Sequence, residues 1–339
     1  MDPITGLLLA VLAGIPNGTA WSLSSIFRRL PAAYFSGTSF LAASVVASGW
    51  LFLEGMPTHI DSSYWLKMFL NAGLLAVAFT LATAAPRIAD LTLTRPITPL
   101  TIVFMFVSGP LLVGFGEEVE WKTTNDWGDF GIVVVVVSFV LLLLIRSKSP
   151  DVSTGIKKSK SRGVTMMLAV AVLYSVTAYY DIILLRASSS PFYLATIFFV
   201  IGLMCFGLGA LDRRFFFLHL EEKQEAYKNC WSWKNIRPCA LFGILYTAAT
   251  ACHMVAIDVT SHVNYVVAIK ESLSAVDAAL VTWLLVHGTK KGWWWRRRDA
   301  EAEKVYAAKK SEADALPRRV WAMVGIAAGT AILVVLGTT

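Results

Sequence analysis

Val133-Val134-Val135-Val136-Val137-Ser138-Phe139-Val140-Leu141-Leu142-Leu143-Leu144-Ile145 carries a single hydroxyl and no charge. A strand of a membrane barrel alternates apolar with polar positions over about 10 residues, and this run does not alternate. It reads as a helix that crosses a bilayer. Comparable runs of about 18 or more largely apolar residues recur along the chain. At about 1.5 Å per residue, each covers the roughly 30 Å hydrocarbon layer. The whole sequence agrees, with 339 residues, 56% hydrophobic and only 16% charged, and mean hydropathy +0.61. Such a composition excludes an ordinary water-soluble domain, and the recurrence of the runs excludes a single anchor.

Breaks at charged residues and at Pro/Gly clusters predict ten spans. The first five lie near 4–26, 32–53, 64–85, 92–115 and 127–145, and the second five near 163–185, 191–211, 236–257, 263–287 and 319–338. Residues 146–162, rich in Ser and Lys, read as a basic linker between two five-helix units, 1–145 and 163–339. The two units share a register. Trp127-x-x-x-Gly131 opens the fifth span and Trp321-x-x-x-Gly325 the tenth, 194 positions apart; Leu111-Leu112-Val113 closes the fourth and Leu284-Leu285-Val286 the ninth, 173 apart. The excess falls on a basic arm inserted at about 289–316. Five spans per unit is odd, so the expected fold is an all-α membrane protein of about ten transmembrane helices in two inverted repeats. Within the arm, Asp299 offers an N-cap to a polar helix that Pro317 is expected to stop.

Charge sets an orientation. Of the 30 Lys and Arg, 26 fall in the odd-numbered connections, three in the even ones (Lys67, Lys122, Arg186), and Lys270 inside a span. The positive-inside rule puts the odd connections in the cytoplasm and both termini on the other side. A net charge of +7 therefore needs no nucleic-acid partner. The sequence start has no basic n-region or cleavage motif, so no cleaved signal is expected. Cys205, Cys230, Cys239 and Cys252 include no C-x-x-C pair and no zinc-ligand spacing, and read as free thiols. No metal or other cofactor is expected, and no nucleotide-binding or hydrolase motif is present.

The fourth span, Ile97-Thr98-Pro99-Leu100 running to Leu111-Leu112-Val113-Gly114-Phe115-Gly116-Glu117, together with Tyr180-Asp181 through Ser190-Pro191-Phe192-Tyr193, resembles the EamA-like branch of the drug/metabolite transporter superfamily. The chain departs from that pattern at Ser272 and Lys290, where the second unit would carry Pro and Glu. The resemblance implies ten helices in inverted repeats and transport by alternating access through a central cavity, in a cell membrane (inner or plasma). It also implies cytoplasmic termini, against the charge count. The imbalance of charge is the larger signal.

Ionisable groups inside spans nominate a site, because each costs about 2.5 to 3.5 kcal/mol at a helix centre and so avoids lipid. Lys270 and Glu271 in the ninth span qualify, with Asp277 two turns on. Lys270 is expected to find its acceptor on another helix, with Asp181 of the sixth span the best candidate. The resemblance adds that basic side chains of this region hold anionic substrates in related carriers. Arg95 precedes Pro96 and Pro99, which break the fourth span, and Pro16-Asn17-Gly18 is expected to interrupt the first. Asn17, Trp21, Tyr174, Tyr179, Tyr180, Tyr246, Tyr265 and Trp283 are candidates to line the cavity, and His253 to relay a proton. Spans five and ten, apolar throughout, are expected at the periphery. These residues favour a secondary transporter, not an enzyme, for a small polar or charged metabolite. An intramembrane enzyme and a non-transporting scaffold or receptor stay open as rivals.

Overall fold

A computed structural model of the protein describes residues 3–27, 30–89, 91–114, 126–144, 155–215, 231–260, 263–287 and 300–335. The described residues form helices and short connections and contain no strand. In chain order the helices are α1 (Pro3–Ile26), α2 (Ala32–Glu54), α3 (Ser62–Ile88), the one-turn α4 (Leu91–Thr94), a 3₁₀ turn (Arg95–Ile97), α5 (Leu100–Gly114), α6 (Asp126–Leu144), α7 (Gly155–Arg186), α8 (Ser190–Phe215), α9 (Trp233–Thr260), α10 (Val263–His287) and α11 (Ala300–Val335). Seven segments among the described residues are long and apolar enough to cross a membrane: α2, α3, α4 through α5, α6, and most of α7, α8 and α9. The chain is a multi-pass integral membrane protein. α1, α10 and α11 fall outside those seven; α10 carries Lys270, Glu271 and Asp277, and α11 begins with a charged half.

A helix satisfies its backbone internally, which hydrocarbon requires. Polar residues in these helices follow the same rule by closing onto their own turns: Thr247 donates to the Gly243 carbonyl, Thr196 to Phe192 and Ser188 to Leu184, each at 2.8 Å. Lipid tails are as apolar as Leu, so helices associate through close packing, and small residues mark the crossings. A Cβ added at Gly243 of α9 would stand 2.4 Å from the Ser39 carbonyl oxygen of α2, and one at Gly163 of α7 would stand 2.6 Å from Ala89 Cβ beside α3. α1 packs on α9 and α10, α7 on α3 and α5, α2 on α8 and α9, α8 on α3, and α6 on α11.

Three sequence expectations need correction. α1 runs unbroken through Pro16, because one missing N–H removes a single rung while the turns on either side keep theirs. α11 likewise continues through Pro317. Ala313, Ala315 and Leu316 before that proline are buried, and Arg319 after it donates to Thr92 Oγ1 at 2.5 Å, so packing on both sides holds the helix in line. α7 starts at Gly155, within the stretch expected as linker; residues 146–154, like most of the arm's basic cluster before Ala300, lie outside the described residues. The fourth span does break at Pro96 and Pro99, where two donors are lost within one turn.

Candidate functional site

The break in the fourth span is locally stabilised. The Arg95 carbonyl accepts both the Thr98 N–H at 3.0 Å and the Thr98 hydroxyl at 2.8 Å, closing the 3₁₀ turn that the prolines impose. This fixes Arg95 at the wall of a cavity between α1, α3, α5, α7, α9 and α10, with about 510 Å³ of empty space, mouth included. Arg95 is 1% exposed. Its guanidinium carbon lies 4.8 Å from the centroid of the Trp21 ring, a cation–π contact in a desolvated setting. Asn17, one turn before Trp21, accepts the indole N–H at 3.0 Å and fixes the ring plane. Trp21 in turn stacks on Phe79, and Phe79 meets Tyr174 and Tyr246 edge-on, so aromatic rings floor the cavity.

Glu271 sits between two cations. Its Oε1 lies 3.2 Å from Lys270 Nζ and its Oε2 3.7 Å from Arg95 Nη2. The expected pairing of Lys270 with Asp181 is therefore replaced by a pair with the neighbouring residue. Consecutive Cβ atoms diverge by about 100° around a helix, yet the four-carbon stem of Lys270 is long enough to curl back. Asp181 faces the same cavity but is held by neutral groups: its Oδ1 accepts from Asn71 Nδ2 at 2.7 Å and, in a short contact, from the Tyr193 hydroxyl. Asn71 also donates to Tyr193 at 3.1 Å, tying α3, α7 and α8 together at this carboxylate.

Arg95, Asp181, Lys270, Glu271, Asn17, Trp21 and His253 all line the cavity, as do Tyr174 and Tyr246. Tyr180 does not; it is buried against Ile102, Met105 and Val267. Tyr179 spends its hydroxyl on the Met105 carbonyl at 3.0 Å, Trp283 is 42% exposed on the outside of α10, and the Tyr265 side chain lies outside the described residues. Asn71 and Tyr193 were not singled out from the sequence. The signal for Asn71 was there, an amide in an otherwise apolar stretch of span three; Tyr193 is one of many aromatics and carries none. Among the described residues no residue of α6 or α11 lines the cavity, and no His, Cys, Asp or Glu cluster suits a metal ion.

The cavity has a deep and a shallow end. Trp21, Phe79 and Arg95 are at most 2% exposed, whereas Asp181 and Lys270 are partly exposed. Asp181 lies near the end of α7, and Lys270 near the start of α10, so the shallow end faces the even connections. At the opposite end Arg87 donates to the Leu30 carbonyl at 2.5 Å and the Phe27 carbonyl at 3.2 Å, and Gly163 presses on Ala85 and Ala89.

Comparison with known proteins bears on the fold. A solved structure described only as the crystal structure of a protein matches over 90% of this chain and 95% of its own, with TM-score 0.50 and 15% identity. No family model matches the chain, and no curated protein does. At that identity, the likeness says that this helical arrangement exists in another protein of nearly the same extent, and no more.

Proposed function

We propose that the chain is a secondary transporter of a small polar or charged metabolite, working by alternating access, and a member of the drug/metabolite transporter superfamily in a cell membrane, inner or plasma. One observation carries this reading: four ionisable side chains, Arg95, Asp181, Lys270 and Glu271, converge on one cavity enclosed by membrane-embedded helices and shut at one end. Charges at membrane depth are retained where they serve a pathway.

Helix packing supports an inverted-repeat frame for that cavity. Taking α4 with α5 as one segment gives ten in all, and advancing each by five exchanges α1–α9 with α7–α3, α1–α10 with α7–α5, and α2–α9 with α8–α3, while α2–α8 and α6–α11 map onto themselves. The two self-mapped pairs run antiparallel, as inversion demands: Gly37 meets Gly202 while Gly209 meets Tyr34, and Gly325 meets Ser138 while Gly329 meets Val135. On the charge count, the shallow end faces away from the cytoplasm, which makes this an outward-facing arrangement.

Reconstituted vesicles decide it. Purified protein is screened for metabolites that raise its melting temperature, since a ligand of the folded state stabilises by mass action. Hits are then tested for counterflow. Saturable exchange that fails in Arg95→Ala supports the transporter; conversion of the hit to a product in detergent, with no second compartment, overturns it in favour of an enzyme.

A further inference from the structure

Resting on that transport reading, we infer that the substrate is a small zwitterion, its anionic group bound at Lys270 and its cationic group at Asp181. The cavity is polarised. At one end Lys270 shares its carboxylate, Glu271, with Arg95, so the positive charge of Lys270 is only partly matched, and its ammonium, with three donors, is partly exposed to the cavity. At the other end the Asp181 carboxylate meets only the neutral donors Asn71 and Tyr193 among the described residues. Hydrogen bonds hold that carboxylate in place without cancelling its charge.

The two residues face one space yet pair elsewhere, which leaves a cationic and an anionic subsite separated by a gap walled with aromatic side chains. Charges out of water are costly unless matched. An uncharged polyol would leave both subsites unmatched, and a simple anion would leave Asp181 facing it across a dry cavity. A zwitterion matches both, and its apolar body lies against Phe79 and Tyr246. It also carries no net charge, so the occupied cavity can close without burying more charge than the empty one holds.

The test uses the full chain in detergent and matched probes: glycine, leucine and phenylalanine, each beside its amide, which lacks the carboxylate, and its deaminated acid, which lacks the ammonium, with sorbitol as an uncharged control. At least one zwitterion should bind about tenfold or more tightly than both of its truncated partners, the scale of one lost charge-assisted contact. In Asp181→Asn the preference over the deaminated acid should vanish. Equal binding of an acid and its parent zwitterion in the unaltered protein, a preference for sorbitol, or no binding of any zwitterion overturns the assignment without needing a variant that folds. So does Asp181→Asn that keeps the wild-type preference. Counterflow with the same probes separates the two readings. Flux of sorbitol or of a plain anion alone keeps transport and sinks the zwitterion; zwitterion binding with no flux keeps the site and sinks transport.

Discussion

Glu271 is 5% exposed and lies between Lys270 and Arg95. Removing its charge strands two cations in a low-dielectric interior, and breaking such a buried pair costs about 3–5 kcal/mol. Glu271→Gln should therefore melt well below the parent in detergent, and Lys270→Met should melt closer to it because Arg95 and Glu271 still face each other. Adding Lys270→Met to Glu271→Gln should recover part of the loss; a double variant no more stable than Glu271→Gln would deny the coupling. Lys270→Met should also fold while losing affinity for an anionic ligand group, measured by titration against Lys270→Arg, whose planar guanidinium restores charge but presents its donors differently. Unchanged affinity in Lys270→Met would make this lysine a structural cation. At this scale the sequence was informative for charge and mute on pairing. Lys270, Glu271, Asp181 and Arg95 stand out because charge is rare in a span. Which cation meets which carboxylate depends on side-chain paths of a few ångströms, and no spacing rule separates a lysine that reaches across a cavity from one that curls back onto the next residue.

Helices meet here at glycines that differ in what they touch. A Cβ on Gly243 would run into the Ser39 carbonyl and the Ala43 amide, which are backbone and cannot step aside; a Cβ on Gly325 would meet only the Ser138 hydroxyl and Cβ. Gly243→Ala should prise α9 from α2 at about 1–3 kcal/mol, the usual range for overpacking. Gly325→Ala should cost less, and pairing it with Ser138→Gly should remove most of its cost. Melting temperatures of the three variants check the order, and Gly325→Ala falling below Gly243→Ala would reverse it. The helices themselves were legible, since apolar length alone delimits a span. Their punctuation was less so. Pro96 and Pro99 break the fourth segment because two donors vanish within one turn, whereas Pro16 and Pro317 each sit in a helix whose flanking turns are held by packing, and composition does not distinguish the cases.

The whole molecule is asymmetric in charge, with 26 of its 30 Lys and Arg in the odd connections. Cysteines engineered at the two termini should react with an impermeant maleimide in intact cells; reaction only after permeabilisation would invert the protein while leaving the cavity unaltered. α11 gives this frame a property of another kind. At 36 residues and about 1.5 Å per residue it measures about 54 Å, far more than the hydrocarbon is thick, and it is one rod through Pro317. Its buried Arg319 grips Thr92 of α4, directly before the turn that carries Arg95. A small tilt at that grip becomes a long sweep at the rod's free end. A fluorophore placed near Ala300 would thus work like the pointer of a balance, reporting optically, from outside the bilayer, a movement too small to follow at its fulcrum.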